Sequence, residues 1–258
     1  MNFFEKIQRK IKLNTHAGTL YQCPFCGYQS KDLETVGHDL PILKKKHVIG
    51  GGKRAAGCYK CHSRDRERLL YTFLIEELKL PTNKNISILH IAPEPKLSQV
   101  LLKQNFREYI CGDLFTEGYS YPAHVKNMNV LDLNFRDNHF DLFLCNHVLE
   151  HIPEDIRAMK EIFRVLKPGG HALLQVPISK NSAETVEDFT IEDPKKREEL
   201  FGQFDHCRIY GQDYVTRLES VGFKINRINI SDKYPSYGLN PEEDLFFCEK
   251  PSFKNSEL

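Results

Sequence analysis

The chain has 258 residues, enough for one large α/β domain and a small module beside it. Its composition, 40% hydrophobic and 28% charged, is that of an ordinary folded protein, and a net charge of +1 gives no support to a broad nucleic-acid footprint. Only local basic patches remain for such a partner, and no apolar run approaches the roughly 18 residues of a membrane span.

The opening stretch, MNFFEKIQRKIKLN, lacks the apolar core of a secretory leader. Phe3 or Phe4, Ile7 and Ile11 share one helical face, with Lys6, Arg9, Lys10 and Lys12 around it. We expect a helix or arm packed on the domain; the alternative is a weak peripheral membrane contact through residues 1–14. Without a leader, the eight cysteines are expected in the reducing cytoplasm, with no disulfide framework.

Four of those cysteines form two Cys-x-x-Cys pairs. Cys23 and Cys26 precede Gly27, and Cys58 and Cys61 follow Gly57. Each short turn aims two sulfurs at one point, and Gly27 permits the tight backbone, so the set reads as a closed, structural, four-thiolate zinc site. A redox reading is weaker, because neither pair opens the helix of a thioredoxin-like unit. The 31 residues between Cys26 and Cys58 exceed the common spacing. The excess falls in LKKKHVIGGGKRAAG, which reads as a flexible loop or tip. Ser63 is placed to cap a helix running to about Leu80, whose apolar face is Leu69, Leu70, Phe73, Leu74 and Leu78. Arg64, Arg66 and Arg68 on that helix are expected to face solvent rather than an anionic substrate. The module is therefore assigned to residues 1–62, and a larger domain to 63–258 with 63–80 as the linking helix.

From residue 86 onward apolar strands alternate with helical patterns. Strands are expected near 86–91, 107–112, 125–131, 140–146, 171–177, 223–230 and 244–249, and helices near 96–104, 154–166 and 211–221. The last two strands are joined by the turn-rich SDKYPSYGLNPEE, which fits an antiparallel hairpin. The fold class is α/β, a doubly wound, Rossmann-like seven-stranded sheet with an antiparallel last strand, plus the small N-terminal zinc-ribbon-like module. Ligands bind such sheets at the carboxyl ends of the strands. In the helix PEDIRAMKEIFRVLKPGG, Ile156, Met159, Ile162, Phe163 and Leu166 form one face, and Pro168, Gly169 and Gly170 are expected to end it.

Three pieces in order, the DNHFD lead into the fourth strand, HVLEHI after it and RVLKPGG before the fifth, resemble class I S-adenosylmethionine-dependent methyltransferases of the type 11 group. The resemblance covers about residues 85–250, and the cysteine segment resembles the zinc-ribbon-like part of a bacterial subgroup. It implies a cofactor loop at LHIAPEPK, where the family carries an acidic residue and then three glycines in alternation. His90 takes the acidic position, and Ala92, Glu94 and Lys96 take those of the glycines. Glycine serves there because the backbone approaches the ligand closely and needs positive φ; Pro93 and Pro95 instead stiffen the loop. Glu94 is then expected to face the sulfonium or ammonium of the cofactor.

The resemblance also implies ribose contact by Asp113 at the end of the second strand, and adenine contact by Asp132 at the end of the third. The backbone N–H of Leu133 would read an adenine ring nitrogen. Asn146, ending the fourth strand, lies near the transferred methyl. His147 and His151 share one face, a pair too weak to argue for metal, and His151 is expected to cap. The polar stretch from Ile178 to Tyr210 is where the acceptor pocket would be built. There His206 is the first choice for a base or substrate contact and Arg208 for holding an anionic group, the alternative being that the two tie the loop to the following helix; Tyr210 would line the pocket, and His147 is a further catalytic candidate.

The leading function is in-line methyl transfer from S-adenosylmethionine to a small molecule or a glycan- or lipid-linked intermediate, with Zn2+ structural. Two other classes compete. One is an RNA or protein methyltransferase guided by the zinc module through Lys44–Lys46 and Lys53–Arg54. The other is a non-catalytic scaffold with a degenerate cofactor loop.

Overall fold

Five consecutive buried residues, Ser87–Ile91, form an interior strand of the larger of two compact units. Burial on both faces of a strand requires layers on both sides, which parallel sheets obtain from crossover helices. The computed structural model describes residues 3–252. The larger unit comprises residues 40–51, 81–228 and 244–252, and the smaller one residues 3–39, 52–80 and 229–243.

The sheet of the larger unit has strands β1 (Ser87–Ile91), β2 (Glu108–Asp113), β3 (Val125–Asn127), β4 (Phe140–Cys145), β5 (Leu166–Leu173), β6 (Lys224–Ile228) and β7 (Leu245–Glu249). They lie in the order β3-β2-β1-β4-β5-β7-β6, and β7 runs antiparallel to both β5 and β6. The seven-stranded sheet with an antiparallel last strand is as expected. The helix Asp155–Val165 buries Ala158, Met159, Ile162 and Val165 in the same core as Leu89, Phe143 and Leu174.

Two local readings change. The helix stops at Val165, and Pro168, Gly169 and Gly170 lie within β5. There the register with β4 jumps from Leu166↔Phe140 to His171↔Leu142, and Gly169 takes a positive φ of 76°. The triplet therefore makes a bulge rather than a helix stop. The third strand is also shorter than expected and ends at Asn127.

The stretch expected to be a flexible loop is ordered: up to Gly51 it belongs to the larger unit, and beyond it Arg54–Gly57 pairs with Glu34–Val36 in the smaller one. Pro41–Lys45 is a helical turn, and Val48–Ile49 pairs antiparallel with Ile178–Ser179. Ile42 and Leu43 pack with Val48, Phe201 and Ile209. Gly202 permits this contact, because a Cβ there would lie 2.3 Å from the Leu43 side chain. In the sequence, the lysine run masks the apolar Ile42, Leu43, Val48 and Ile49.

The boundary expected at 62/63 also moves, since residues 63–80 and 229–243 join the cysteine module. The cause is Arg68, 1% exposed, which donates to the carbonyls of Ser63, Ala56, Tyr237 and Gly238. It is neither a solvent arginine nor an anion contact. The helix spans Asp65–Thr72 and continues as a π-helical turn, Phe73–Glu77. Its N-cap is Arg64, not Ser63. The helix Phe3–Thr15 forms, yet buries no residue, so it does not pack its apolar face on the module. Phe3 and Phe4 are 80% and 68% exposed. Met1 and Asn2 lie outside the described residues.

Candidate cofactor and acceptor site

The parallel registers Ile91↔Gly112 and Ile91↔Cys145 put three residues in one row across adjacent strands. The next residue of each strand is therefore Ala92 after β1, Asp113 in β2 and Asn146 after β4, at the carboxyl edge where doubly wound sheets bind ligands. With strands about 4.8 Å apart, the row spans about 10 Å.

Ala92 has φ +47°, a left-handed conformation unusual outside glycine. The loop thus keeps a glycine-like backbone without glycine, and the Ala92 N–H is fixed to the Gly112 carbonyl at 2.8 Å. Pro93 and Pro95 confine the backbone of the turn, and Pro95 opens the helix Pro95–Leu102. His90 is fully buried. Its Nδ1 meets the Tyr109 hydroxyl at 2.8 Å, and its Nε2 meets Glu94 Oε2 at 2.9 Å. Burial pushes the Glu94 carboxyl up, but the hydrogen bond and charge of His90 outweigh this and leave it below its ordinary value. The carboxylate missing at position 90 is thereby supplied from position 94.

Asp113 is half-buried, and burial raises its carboxyl, partly offset by the backbone N–H of Leu114. Asn146 is 4% exposed, and neither its Oδ1 nor its Nδ2 has a hydrogen-bond partner among the described residues. A buried amide with both ends unmet is costly unless a ligand completes it. An acidic group for ribose, a positive-φ loop and an orphaned amide in one row fit S-adenosylmethionine.

The adenine assignment does not hold as expected. Asp132 lies beyond the end of β3 in an exposed turn. The Leu133 N–H is already given to Glu161 Oε2 at 3.0 Å, and its side chain is in the core. The residues at the carboxyl end of β3, beside Asp113, are Met128 and Asn129; the Met128 N–H donates to the Asp113 carbonyl. Only a strand running on to residue 131 would bring Asp132 to its end, and β3 is shorter than that.

After Asn146 the chain turns sharply. His147 has φ +57°, and its N–H donates to the Gln175 carbonyl at 2.7 Å. Its Nδ1 lies 3.6 Å from Glu150 Oε1. Glu150 is 2% exposed; burial opposes its ionisation, but the imidazoles of His147, His151 and His206 hold the carboxyl down at about 2. His206 is brought against this turn, its ring 4.6 Å from that of His151, edge to face. Burial pushes His206 below its usual value, against the pull of Glu150 and Asp205.

Arg208 holds no anionic substrate. It is buried, and its guanidinium donates to Glu187, to the carbonyls of Leu149 and Pro153, and to that of Ile152. It is a clamp that shapes the turn carrying Glu150 and His151. Tyr210 is likewise core, its hydroxyl donating to Asp155 at 2.8 Å. His151 does not cap; its Nδ1 faces Asp205 Oδ2 at 3.3 Å. Glu150 is not legible from sequence because, within HVLEHI, nothing marks it until residue 206 arrives.

In the smaller unit the four cysteines converge. Cys23–Cys61 and Cys26–Cys58 sulfurs are 3.6 and 3.7 Å apart. Ligands bonded at about 2.3 Å to a tetrahedral zinc stand about 3.8 Å apart, so the donors fit. The two knuckles match: Gly27 N–H donates to Cys23 O and His62 N–H to Cys58 O, each at 2.8 Å. Both residues have positive φ, 67° and 58°. The Ser63 hydroxyl lies 3.3 Å from the sulfurs of Cys23 and Cys61.

Residues 90–174 match the profile of a methyltransferase domain. An uncharacterized protein of Methanocaldococcus jannaschii is 46% identical over 135 residues, 50% of this chain and 58% of its own. A demethylmenaquinone methyltransferase of Listeria monocytogenes is 29% identical over 80 residues, 31% of this chain and 33% of its own. The chain thus spans less than two thirds of either relative. Among solved structures, a 1,6-didemethyltoxoflavin-N1-methyltransferase of Burkholderia thailandensis aligns with TM-score 0.48 at 16% identity, over 72% of this chain and 78% of its own.

Proposed function

We propose that the protein transfers a methyl group from S-adenosylmethionine to a small-molecule, glycan or lipid-linked acceptor, a reading supported by the match of residues 90–174 to a methyltransferase domain. The observation that carries this reading is the row Ala92, Asp113 and Asn146, with its orphaned buried amide. The similarity to a demethylmenaquinone methyltransferase supports a small-molecule acceptor.

When bound, S-adenosylmethionine supplies a methyl on a positively charged sulfur that is already a good leaving group. The protein's part is placement. Asp113 would accept the ribose hydroxyls. Glu94, steadied by His90, would hold a carboxylate for the cationic end of the ligand. Asn146 would orient the reacting end, and a water-poor edge keeps the acceptor in line. An acceptor hydroxyl or amine would give its proton to a nearby imidazole, with His147 the next residue after Asn146. The acceptor atom then bonds the methyl carbon as the carbon–sulfur bond breaks, its electron pair staying on sulfur.

The four cysteines are assigned to structural Zn2+ on donor type and spacing. The RNA reading finds less support, because Arg54 is committed to Asp65 at 2.6 and 2.7 Å and Lys46 to Ser182 at 3.1 Å. The exposed face of Phe3–Thr15 supports weak peripheral membrane contact instead. Calorimetric titration of zinc-replete protein with S-adenosylmethionine tests the central reading. Stoichiometric binding is expected, and none by folded protein contradicts it in favour of the scaffold.

A further inference from the structure

We infer that Glu150, His151 and His206 form a divalent-cation site, separate from the cysteine cluster. One donor atom from each of the three lies within 4.8 Å of the other two. That is close enough for a cation bonded at about 2.0–2.2 Å to each to draw them together.

Three further observations point to a ligand. Glu150 Oε2 is buried and has no hydrogen-bond partner among the described residues. A buried carboxylate oxygen left unmet is costly unless something completes it. Both imidazoles are held through Nδ1, His151 by Asp205 Oδ2 and His206 by the Phe201 carbonyl, each at 3.3 Å. A ring anchored at one nitrogen offers the other, which is how metal-ligating histidines are oriented. The turn is also set in advance: Cys207 N–H donates to the Glu150 carbonyl at 3.0 Å, and Arg208 holds the carbonyls of Leu149, Ile152 and Pro153.

Two imidazoles and a carboxylate suit first-row divalent ions such as Mn2+, Fe2+ or Zn2+, and leave coordination positions for another ligand. Glu150 follows Asn146 by four residues. The further ligand is therefore an oxygen of the methyl acceptor, and the acceptor class narrows to hydroxyl compounds. The cation lowers the hydroxyl pKa. Its proton passes to His147 or solvent, and the oxygen then bonds the methyl carbon as the carbon–sulfur bond breaks, the thioether leaving with the electron pair. This role rests on the methyltransferase reading; the cation site itself does not.

Mn2+ is the probe, since it prefers nitrogen and oxygen donors and leaves a zinc-loaded thiolate cluster alone. Full-length protein with its zinc quantified is titrated with Mn2+ and followed by electron paramagnetic resonance. Saturable binding of one Mn2+ per chain is expected. Glu150→Gln and His206→Gln should each weaken it at least tenfold, and exposed Asp132→Asn should leave it unchanged. Should the buried Glu150 variant fail to fold, His151→Gln, whose side chain is 29% exposed, serves in its place. No saturable binding by folded wild type, or equal binding by the ligand variants, overturns the inference. The same samples are titrated with S-adenosylmethionine. Cofactor binding without Mn2+ binding removes the cation site alone, and Mn2+ binding without cofactor binding removes the methyltransferase reading alone.

Discussion

The cysteine knuckles and the Glu150 turn both assemble residues distant in sequence, but only one of them shows it. Cys23 and Cys61 are 38 positions apart and meet at 3.6 Å; Glu150 and His206 are 56 positions apart. A Cys-x-x-Cys pair aims two donors at one point by local geometry alone, so two pairs specify a site. Glu150, His151 and His206 have no such local grammar. They meet because Arg208 commits both terminal nitrogens of its guanidinium to the turn at Leu149–Pro153. A short motif can be read from spacing; a site built by a clamp has to be seen folded.

That contrast can be broken most forcefully at the cysteines. Cys58→Ser should abolish stoichiometric zinc and unfold the smaller unit. Structural zinc binding of about 10–16 kcal/mol rivals the entire stability of a domain. Metal content and hydrogen exchange across residues 17–63 check this, and a folded, zinc-loaded variant would contradict the site.

Arg208→Ala tests the clamp. It leaves the carbonyls of Leu149, Ile152 and Pro153 without their donor, while Glu187 keeps Arg217, and should cost about 1–3 kcal/mol by urea unfolding. Arg208→Lys should recover little, since an ammonium cannot reproduce the fork. If Arg208 were a substrate contact instead, stability would change little.

The loop gives a pH test. The Glu94 carboxyl lies lower folded than free, so its pairing with His90 adds stability above the free carboxylate value of about 4.3. That stability is lost as pH falls through the lower folded value. Wild type should lose more stability on acidification from pH 6 to 3 than Glu94→Gln, measured as urea midpoints. Parallel losses would mean that the pair does not form.

The smallest effect is expected at two of the left-handed non-glycine residues. Ala92→Gly and His62→Gly each relieve roughly 1–2 kcal/mol of strain but add about 0.5–1 kcal/mol of unfolded-chain entropy. Thermal midpoints should rise slightly or hold. A marked fall would show that the side chain, not the backbone, matters there.

The sheet is legible in the sequence because β1, β2, β4 and the helix Asp155–Val165 carry strong apolar periodicity. The row of Ala92, Asp113 and Asn146 follows from it, with Asp113 ending β2 and Asn146 directly after β4, the strand-end positions expected. Periodicity fails where strands are short and polar: β3 ends at Asn127, so the pattern puts the adenine contacts too far along, at Asp132 and Leu133. It fails again at residues 40–51, where three lysines and a histidine hide Ile42, Leu43 and Val48, which pack around Phe201. Arg68, Arg208 and Tyr210 illustrate a third limit. Composition suggests surface or site for such residues, whereas burial with donors satisfied is visible only in the fold.

The proposed cofactor site lies along one edge of one sheet. The direct measurement is calorimetric titration of S-adenosylmethionine into wild type, Asn146→Ala, Asp113→Ala and Asp132→Ala side by side. Stoichiometric binding is predicted for wild type and Asp132→Ala, with affinity reduced at least tenfold in the other two. Equal affinity in all four, or loss only in Asp132→Ala, would place the cofactor elsewhere and contradict the assignment.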